Sequence, residues 1–271
     1  MDNANLPNSH TEVTPDWRPY KFERSTLQQA LKLTRIGSSA VPRYSGTVPP
    51  AWCASSKLRI FPIPHLSSNQ FETAGRTLSA HGGFCASVLV ATSIQYSQDT
   101  YGDKAHKTPL SISLEFLTPL PMGPYEVAIH DYGVRGSVTT IRAEITTSQQ
   151  NADAICCIGL IRLRRDDAGQ GGKMIQPKTP SLPDRVRDCA RWTAGIFYYF
   201  NPPTSYVRMF TPDGEGFPLW SEKFGGQSQR WQWFKLDYEE KFGILHLPVI
   251  SDLVSTANLD SIAVASKTKQ N

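Results

Sequence analysis

Residues 81–91 have the sequence HGGFCASVLVA, in which two glycines precede a long apolar run. Adjacent glycines permit a sharp turn, and the apolar run predicts a buried helix. The first N–H groups of a helix have no partner within it and carry a partial positive charge, so they suit an anionic oxygen. Gly82 and Gly83 are therefore candidates for holding the oxygen of a tetrahedral acyl intermediate, or they only allow the chain to turn.

Four segments with strand character follow the predicted helix. Residues 110–117 alternate between apolar and polar side chains, and prolines at 119 and 121 mark the end of that strand. Residues 125–132, 137–147 and 154–163 continue the pattern, with turn residues between them. One buried helix followed by four strands predicts an α+β fold, and it is the element order of a hotdog domain.

Several short signatures occur in the order typical of one protein family. They are Trp52-Cys53, His81-Gly82-Gly83-Phe84, Leu114-Glu115-Phe116-Leu117, Met122-Gly123-Pro124-Tyr125-Glu126-Val127 and Gly136-Ser137-Val138-Thr139-Thr140. Through them the chain resembles the double-hotdog acyl-CoA thioesterases, in particular the thioesterase-like proteins of filamentous fungi. The resemblance covers residues 27–165 well and residues 190–260 weakly. It implies two fused hotdog repeats, each a long central helix wrapped by an antiparallel sheet.

The resemblance and the composition together divide the chain into four parts. These are a polar N-terminal segment (1–26), the first repeat (27–165), a linker rich in Gly and Pro (166–191) and a partial second repeat (192–271). Because the chain ends at Asn271, we expect the second repeat to be truncated. Residues 55–80 resemble an insertion into the first repeat. Their lack of a clear period is typical of a surface loop, a retained intron or an error in the gene model.

The second repeat offers one candidate catalytic residue, Asp252. Residues 245–254 resemble the second central helix of the family, in which an Asp orients or activates the water that attacks the thioester. A carboxylate among apolar neighbours is costly to bury without donors, so we expect Asp252 to have partners or to face a cleft. The other interpretation is an exposed helix face. The hydroxyl and amide side chains that complete the family's polar triad have no counterpart that we can identify in this chain.

Four further residues are candidates for contacts with the substrate. The resemblance implies that His81 shapes the glycine turn and contacts the ligand, and Phe84 follows it closely. Trp231 and Trp233 share one face of a predicted strand, where they either pack against the first repeat or line an acyl tunnel. His81 with Asp252 is also the pair that a hotdog dehydratase or cyclase would need, facing each other across a pocket.

The cysteines indicate neither a disulfide framework nor a zinc site, because their number is odd and no two have C-x-x-C spacing. The five are Cys53, Cys85, Cys156, Cys157 and Cys189. A thiol near a helix N-terminus, such as Cys85, can act as a nucleophile, but its apolar surroundings favour a core thiol. No metal or organic cofactor is predicted.

Composition and charge indicate a globular protein that does not bind nucleic acid. The chain is 39% hydrophobic, with a net charge of +4 and no run of five basic residues. Scattered basic residues over 162–191 suit the phosphates of coenzyme A or of a carrier's phosphopantetheine, or belong to a solvated linker. No segment resembles a membrane span, a signal peptide or a C-terminal peroxisomal tripeptide, so we predict a cytoplasmic location, with peroxisomal import, which occurs in the family that the chain resembles, as the alternative.

Together these features predict an acyl thioester hydrolase that acts on acyl-CoA or on a carrier-bound acyl or polyketide chain, in fungal lipid or secondary metabolism. In this interpretation the N–H groups of Gly82 and Gly83 hold the carbonyl oxygen and Asp252 directs the water. The alternatives are a catalytically incomplete protein that binds an acyl or polyketide ligand or serves as an accessory subunit, and a hotdog dehydratase or cyclase. Unpaired sheet edges favour a homo-oligomer formed through the hotdog sheets.

Overall fold

The computed structural model describes nine parts of the chain. They are residues 25–37, 40–55, 78–148, 154–165, 182–191, 203, 206–212, 231–236 and 240–255. Most of the predicted N-terminal segment, most of the predicted insertion and much of the predicted linker lie outside these residues.

The helices and strands of the described residues occur in the following order. The first part contains α1 (Leu27–Ala30), β1 (Thr34–Ile36), β2 (Arg43–Val48), β3 (Cys53–Ser55), β4 (Leu78–Ala80), α2 (Gly82–Tyr101), β5 (His106–Phe116), β6 (Gly123–Arg135), β7 (Val138–Thr147) and β8 (Ala154–Arg165). The second part contains β9 (Cys189–Arg191), β10 (Val207–Pro212), β11 (Trp233–Leu236) and α3 (His246–Ser255). The predicted order of one long helix followed by four strands is confirmed, as is the α+β class.

A six-stranded sheet forms the main layer of the first part. Its strand order is β1-β2-β6-β7-β8-β5, and each neighbouring pair is antiparallel. Along β7 buried and part-exposed residues alternate without exception, which is the pattern of a strand with one face on the core.

Helix α2 lies against the inner face of this sheet. Its first half is buried almost all round, because apolar and small residues follow one another there without a polar stripe. At the sheet, β8 approaches the helix at Gly159, where a Cβ would lie 2.9 Å from Leu89 Cδ1. A long central helix held against an antiparallel sheet is the hotdog architecture.

The two strands that flank the predicted insertion are neighbours in space. Cys53 of β3 pairs with Ala80 of β4, and Ser55 pairs with Leu78. The backbone N–H of His81 also donates to the Trp52 carbonyl at 2.9 Å. The signatures around Trp52 and His81, which are well separated in the sequence, are therefore adjacent in the fold.

The second part of the chain packs on the first through Trp52. Strands β9, β10 and β11 form a three-stranded antiparallel sheet in the order β11-β10-β9. The Trp52 ring stacks between Phe84 of α2, at 6.0 Å, and Tyr206 just before β10, at 5.0 Å. Strand β9 falls at the end of the predicted linker, because Arg191 pairs with Phe210 and so joins the sheet.

Candidate active site

The carboxylate of Asp252 lies at the N-terminus of helix α2. The Gly83 N–H donates to Asp252 Oδ2 at 2.7 Å, a hydrogen bond between residues 169 positions apart. The partial positive charge of the helix N-terminus stabilises a carboxylate placed there. The Asp252 side chain is 37% exposed, so solvent reaches the carboxylate while the Gly83 N–H holds it in place. The structure thus brings together the two elements that the sequence suggested separately.

The backbone donors are used differently from the prediction, which assigned the N–H groups of both Gly82 and Gly83 to the substrate oxygen. The Gly83 N–H is already bound to Asp252. The Gly82 N–H makes no hydrogen bond within the described part of the chain. One N–H serves one acceptor well, so Gly83 positions the carboxylate, and of the two predicted donors only the Gly82 N–H is left without an acceptor among the described residues.

His81 supports the same carboxylate from the interior. It is the N-cap residue of α2, only 6% exposed, and its Nδ1 lies 3.1 Å from Asp252 Oδ2 without the alignment of a hydrogen bond. Burial lowers the pKa of His81, and the charge of Asp252 offsets part of that effect. The ring is therefore neutral at pH 7 and touches Asp252 directly. It does not face Asp252 across a pocket, which is the arrangement that the dehydratase interpretation required.

The lowered pKa of His81 predicts a loss of stability in acid. The unfolded ring, with its ordinary pKa of about 6.5, binds protons more readily than the folded ring. Stability is therefore complete above that pH and falls as the pH drops below it. We expect His81→Gln to reduce the slope of unfolding free energy against pH between about 6.5 and 5. His130→Gln, at a histidine whose side chain is 38% exposed, is the control, and a slope equal to that of the wild type in His81→Gln would contradict the assignment.

Helices α2 and α3 make backbone contact at Gly83. A Cβ at this position would lie 2.5 Å from Val249 Cα and 2.7 Å from the Pro248 carbonyl oxygen. At Gly82 a Cβ would meet side-chain atoms instead, with Asp252 Oδ2 at 2.9 Å. The close crossing at Gly83 determines where α3 lies, and α3 in turn places Asp252.

A buried serine in α2 holds the beginning of α3. Ser87 Oγ lies 2.7 Å from the carbonyl oxygen of Leu245 and 2.9 Å from that of Gly83. The hydroxyl is fully buried, so its hydrogen bond to Leu245 satisfies a carbonyl of the turn that leads into α3. A single polar residue inside the apolar run 84–91 was the one sequence signal for this contact.

Ser87→Ala is expected to loosen α3 from α2. The change leaves the Leu245 carbonyl without its donor and should lower the unfolding free energy by about 1–3 kcal/mol. Ser93→Ala is the matched control, because Ser93 is equally buried in the same helix but donates only to Leu89 within it. Urea denaturation of both variants measures the difference, and equal losses would show that the contact with α3 contributes nothing.

Glu240 ties the start of α3 to helix α1. Its two carboxylate oxygens accept the N–H groups of Leu27 and Gln28, each at 3.1 Å. One of these oxygens also lies 3.5 Å from Nε2 of the buried His246, whose Nδ1 accepts the Gly243 N–H at 3.0 Å. The base of α3 is therefore anchored to the first part of the chain independently of Asp252. No sequence pattern pointed to Glu240.

An open apolar trough leads away from Asp252 between α2, β5 and α3. It has a volume of about 370 Å³, and Asp252 is the one ionisable residue among the described residues that line it. Several of its apolar side chains are well exposed, among them Leu110 at 47% and Leu247 at 54%. A concave apolar surface with a polar group at one end is the usual form of a small-molecule site.

None of the four predicted substrate contacts lines this trough: His81 lies behind Asp252, and the other three lie elsewhere in the fold. Phe84 is fully buried against Trp52. Trp231 precedes β11 and Trp233 lies in it, and neither lines the trough. Strand β11 pairs with β10 in the separate three-stranded sheet. There the Trp233 indole N–H donates to the Pro183 carbonyl at 3.1 Å.

The other reactive groups considered from the sequence do not form a site. Burial raises the pKa of the Cys85 thiol well above its ordinary range, so this cysteine lacks the thiolate character of a nucleophile. Among the described residues no cluster of His, Cys, Asp and Glu is arranged to bind a metal ion. Nor does any helix in that part of the chain have the length and apolar character needed to cross a membrane.

The central part of the chain is similar to known proteins. Residues 72–163 match the family of the acyl-CoA thioesterase N-terminal domain. A curated relative, the ustilagic acid biosynthesis cluster protein orf2 of Mycosarcoma maydis, is 31% identical over 98 residues, which are 36% of this chain. That match covers only 25% of the relative's own length.

Two solved structures resemble the fold over most of the chain. One is a protein of unknown function with a hotdog fold from Alicyclobacillus acidocaldarius, with a TM-score of 0.53 and 10% identity over 85% of this chain and 70% of the other. The second is a candidate thioesterase from Novosphingobium aromaticivorans, with a TM-score of 0.51 and 12% identity over 82% of this chain and 72% of the other. At these identities the likeness shows the hotdog fold.

Proposed function

We propose that this protein is a thioesterase of the hotdog fold, which hydrolyses acyl thioesters carried by coenzyme A or by the phosphopantetheine arm of a carrier protein. One observation carries the proposal. Asp252 is held by the Gly83 N–H beside the unoccupied Gly82 N–H, at the head of an apolar trough. A base, an oxyanion donor and an apolar binding surface are the elements that thioester hydrolysis requires.

The reaction follows from these positions. The thioester carbonyl oxygen accepts the Gly82 N–H, and its acyl chain lies in the trough. A carboxylate has about four acceptor sites, so Asp252 binds a water while it accepts the Gly83 N–H. Asp252 takes a proton from this water as the water oxygen forms its bond to the carbonyl carbon, and the Gly82 N–H stabilises the oxyanion. The C–S bond then breaks, the thiolate takes up the proton, and a carboxylic acid and a thiol leave.

The neutral state of His81 is consistent with this division of roles. A cation in contact with Asp252 would stabilise its charge and weaken it as a base, whereas a neutral ring only limits its movement. His81 is thus proposed as a positioning residue. The proton transfer is left to Asp252.

The relative from a biosynthesis cluster supports a role in secondary metabolism. We propose that the acyl group is part of such a product or of its precursor. Strands β10 and β11 with helix α3 support the further proposal that residues 192–271 belong to a second repeat after the linker.

The test is release of free thiol from a panel of acyl-CoA thioesters and from the same acyl groups on a carrier protein. Turnover of the CoA series alone, or of the carrier series alone, identifies the carrier of the substrate. Turnover of neither by the folded protein would overturn the hydrolase proposal.

Binding without hydrolysis is the second candidate function. One observation favours it: Asp252 occupies one of the two backbone N–H groups predicted for the oxyanion, so a single donor remains. A protein of this kind would bind acyl-pantetheine compounds and leave the thioester intact. Binding with no thiol release in the same panel would establish this function.

A further inference from the structure

The trough has a polar end at Asp252 and an apolar end, because the three elements that bound it, α2, α3 and β5, extend side by side from Asp252. At that end a Cβ on Gly82 would lie 2.9 Å from Asp252 Oδ2 and 3.4 Å from Phe116 Cζ, so α2, α3 and β5 meet there. Helix α3 runs antiparallel to α2, since Gly83 touches Val249 and Ser87 bonds to Leu245. Strand β5 also runs antiparallel to α2, because its last residue, Phe116, lies at Gly82, while the N–H of its first residue, His106, donates to Ser97 Oγ further along α2 at 2.7 Å.

The floor of the trough is one face of α2. Gly82, Ala86 and Val90 line it at intervals of four residues, so they lie above one another on successive helical turns. Gly82, beside Asp252, has no side chain, Ala86 has a methyl group, and Val90 has a larger isopropyl group. Leu110 of β5 and Ile244, which precedes α3, line the two walls. The floor therefore offers space to an unbranched chain from Gly82 to Val90.

The length of this floor can be compared with that of an alkyl chain. Gly82 and Val90 are separated by eight residues, which is about 12 Å along a helix. An extended alkyl chain with C–C bonds of about 1.5 Å advances roughly 1.3 Å per carbon. The floor thus matches a chain of about nine carbons.

We infer that the trough measures the acyl chain, with Ala86 and Val90 as the residues that determine length specificity and unbranched chains of about nine carbons as the preferred class. This inference rests on the proposed function for the identity of the ligand. Each methylene added within the trough removes apolar surface from water and raises the affinity by up to about fourfold. A methylene beyond Val90 leaves the trough and adds little.

The experiment measures binding apart from hydrolysis. The probes are S-alkyl-pantetheine thioethers from ethyl to hexadecyl, which cannot be hydrolysed and which carry the arm shared by coenzyme A and carrier proteins. Calorimetry with the full chain should show an affinity that rises with chain length and becomes flat at about nine carbons. An affinity that continues to rise to hexadecyl would overturn the inference.

Ala86→Phe tests the residues named. An aromatic ring one turn from Gly82 should move the point at which the affinity becomes flat to about five carbons and leave the shortest probes unaffected. Ala86→Leu repeats the test with a smaller side chain, should the Phe variant fold poorly. Gln98→Phe is the control, because Gln98 is exposed on the same helix and outside the trough. An unchanged profile in a folded Ala86 variant would contradict the inference.

The results for binding and for hydrolysis can be separated. A length limit that moves in the Ala86 variants, without thiol release from any thioester, supports the measuring role and overturns hydrolysis. Thiol release with a length profile that Ala86→Phe does not change supports hydrolysis and overturns the measuring role.

Discussion

Asp252→Asn is expected to lower kcat/KM for thioester hydrolysis by at least about a hundredfold, equivalent to about 2.7 kcal/mol of transition-state stabilisation. The Asn side chain has the same shape, and its amide oxygen can still accept the Gly83 N–H that holds Asp252 in place. The change therefore removes the basic carboxylate and keeps the side chain of residue 252 in the same position. Because the trough is intact, the affinity for S-alkyl-pantetheine thioethers should remain within about threefold of that of the wild type.

The control for this experiment is Asp103→Asn, which removes one negative charge from an exposed turn after α2. It should leave both hydrolysis and binding unchanged. Hydrolysis by Asp252→Asn within about threefold of the wild-type rate would contradict a role for Asp252 as the base. The remaining activity would then have to come from positioning and from the Gly82 N–H alone.

Gly83→Ala is expected to destabilise the protein by about 1–3 kcal/mol, whereas Gly82→Ala should change the stability much less. The Cβ at residue 83 would collide with backbone atoms of Val249 and Pro248, which cannot move unless α3 moves. The Cβ at residue 82 would meet the ends of the Asp252 and Phe116 side chains, which can shift. The two neighbouring glycines therefore differ in what they accommodate, a helix in one case and a carboxylate in the other.

Activity should follow a different order from stability in this pair. Gly82→Ala displaces the Asp252 carboxylate and should lower hydrolysis by about tenfold or more while the protein remains folded. Gly83→Ala should lose both stability and activity, since α3 carries Asp252 away from α2. Urea denaturation and thiol release on the same preparations measure both quantities. A greater loss of stability in Gly82→Ala than in Gly83→Ala would contradict this account of the helix contact.

Most of the local structure of this chain was predictable. Apolar and polar residues alternate in residues 110–163, and an apolar run follows His81. These patterns show which side chains are buried, and buried side chains recur with the period of a strand or a helix. Hence the four long strands and the short helix with Asp252 occur near the predicted bounds, and the central helix begins where predicted but continues ten residues beyond the apolar run, to Tyr101. The resemblance to thioesterases rested on short signatures in these same elements, and the family match over residues 72–163 agrees with it.

Local patterns were therefore enough to predict the elements, the glycine turn and the candidate Asp252, because each depends on neighbouring residues. The contact of Gly83 with Asp252, and the lack of a described partner for the Gly82 N–H, followed only from the packing of the helices, since these glycines are separated from Asp252 by 169 positions or more and meet it where two helices cross. The tertiary structure also placed Trp233 in another sheet, away from the trough. Contacts between distant segments depend on the packing of whole elements, which no local pattern of residues records.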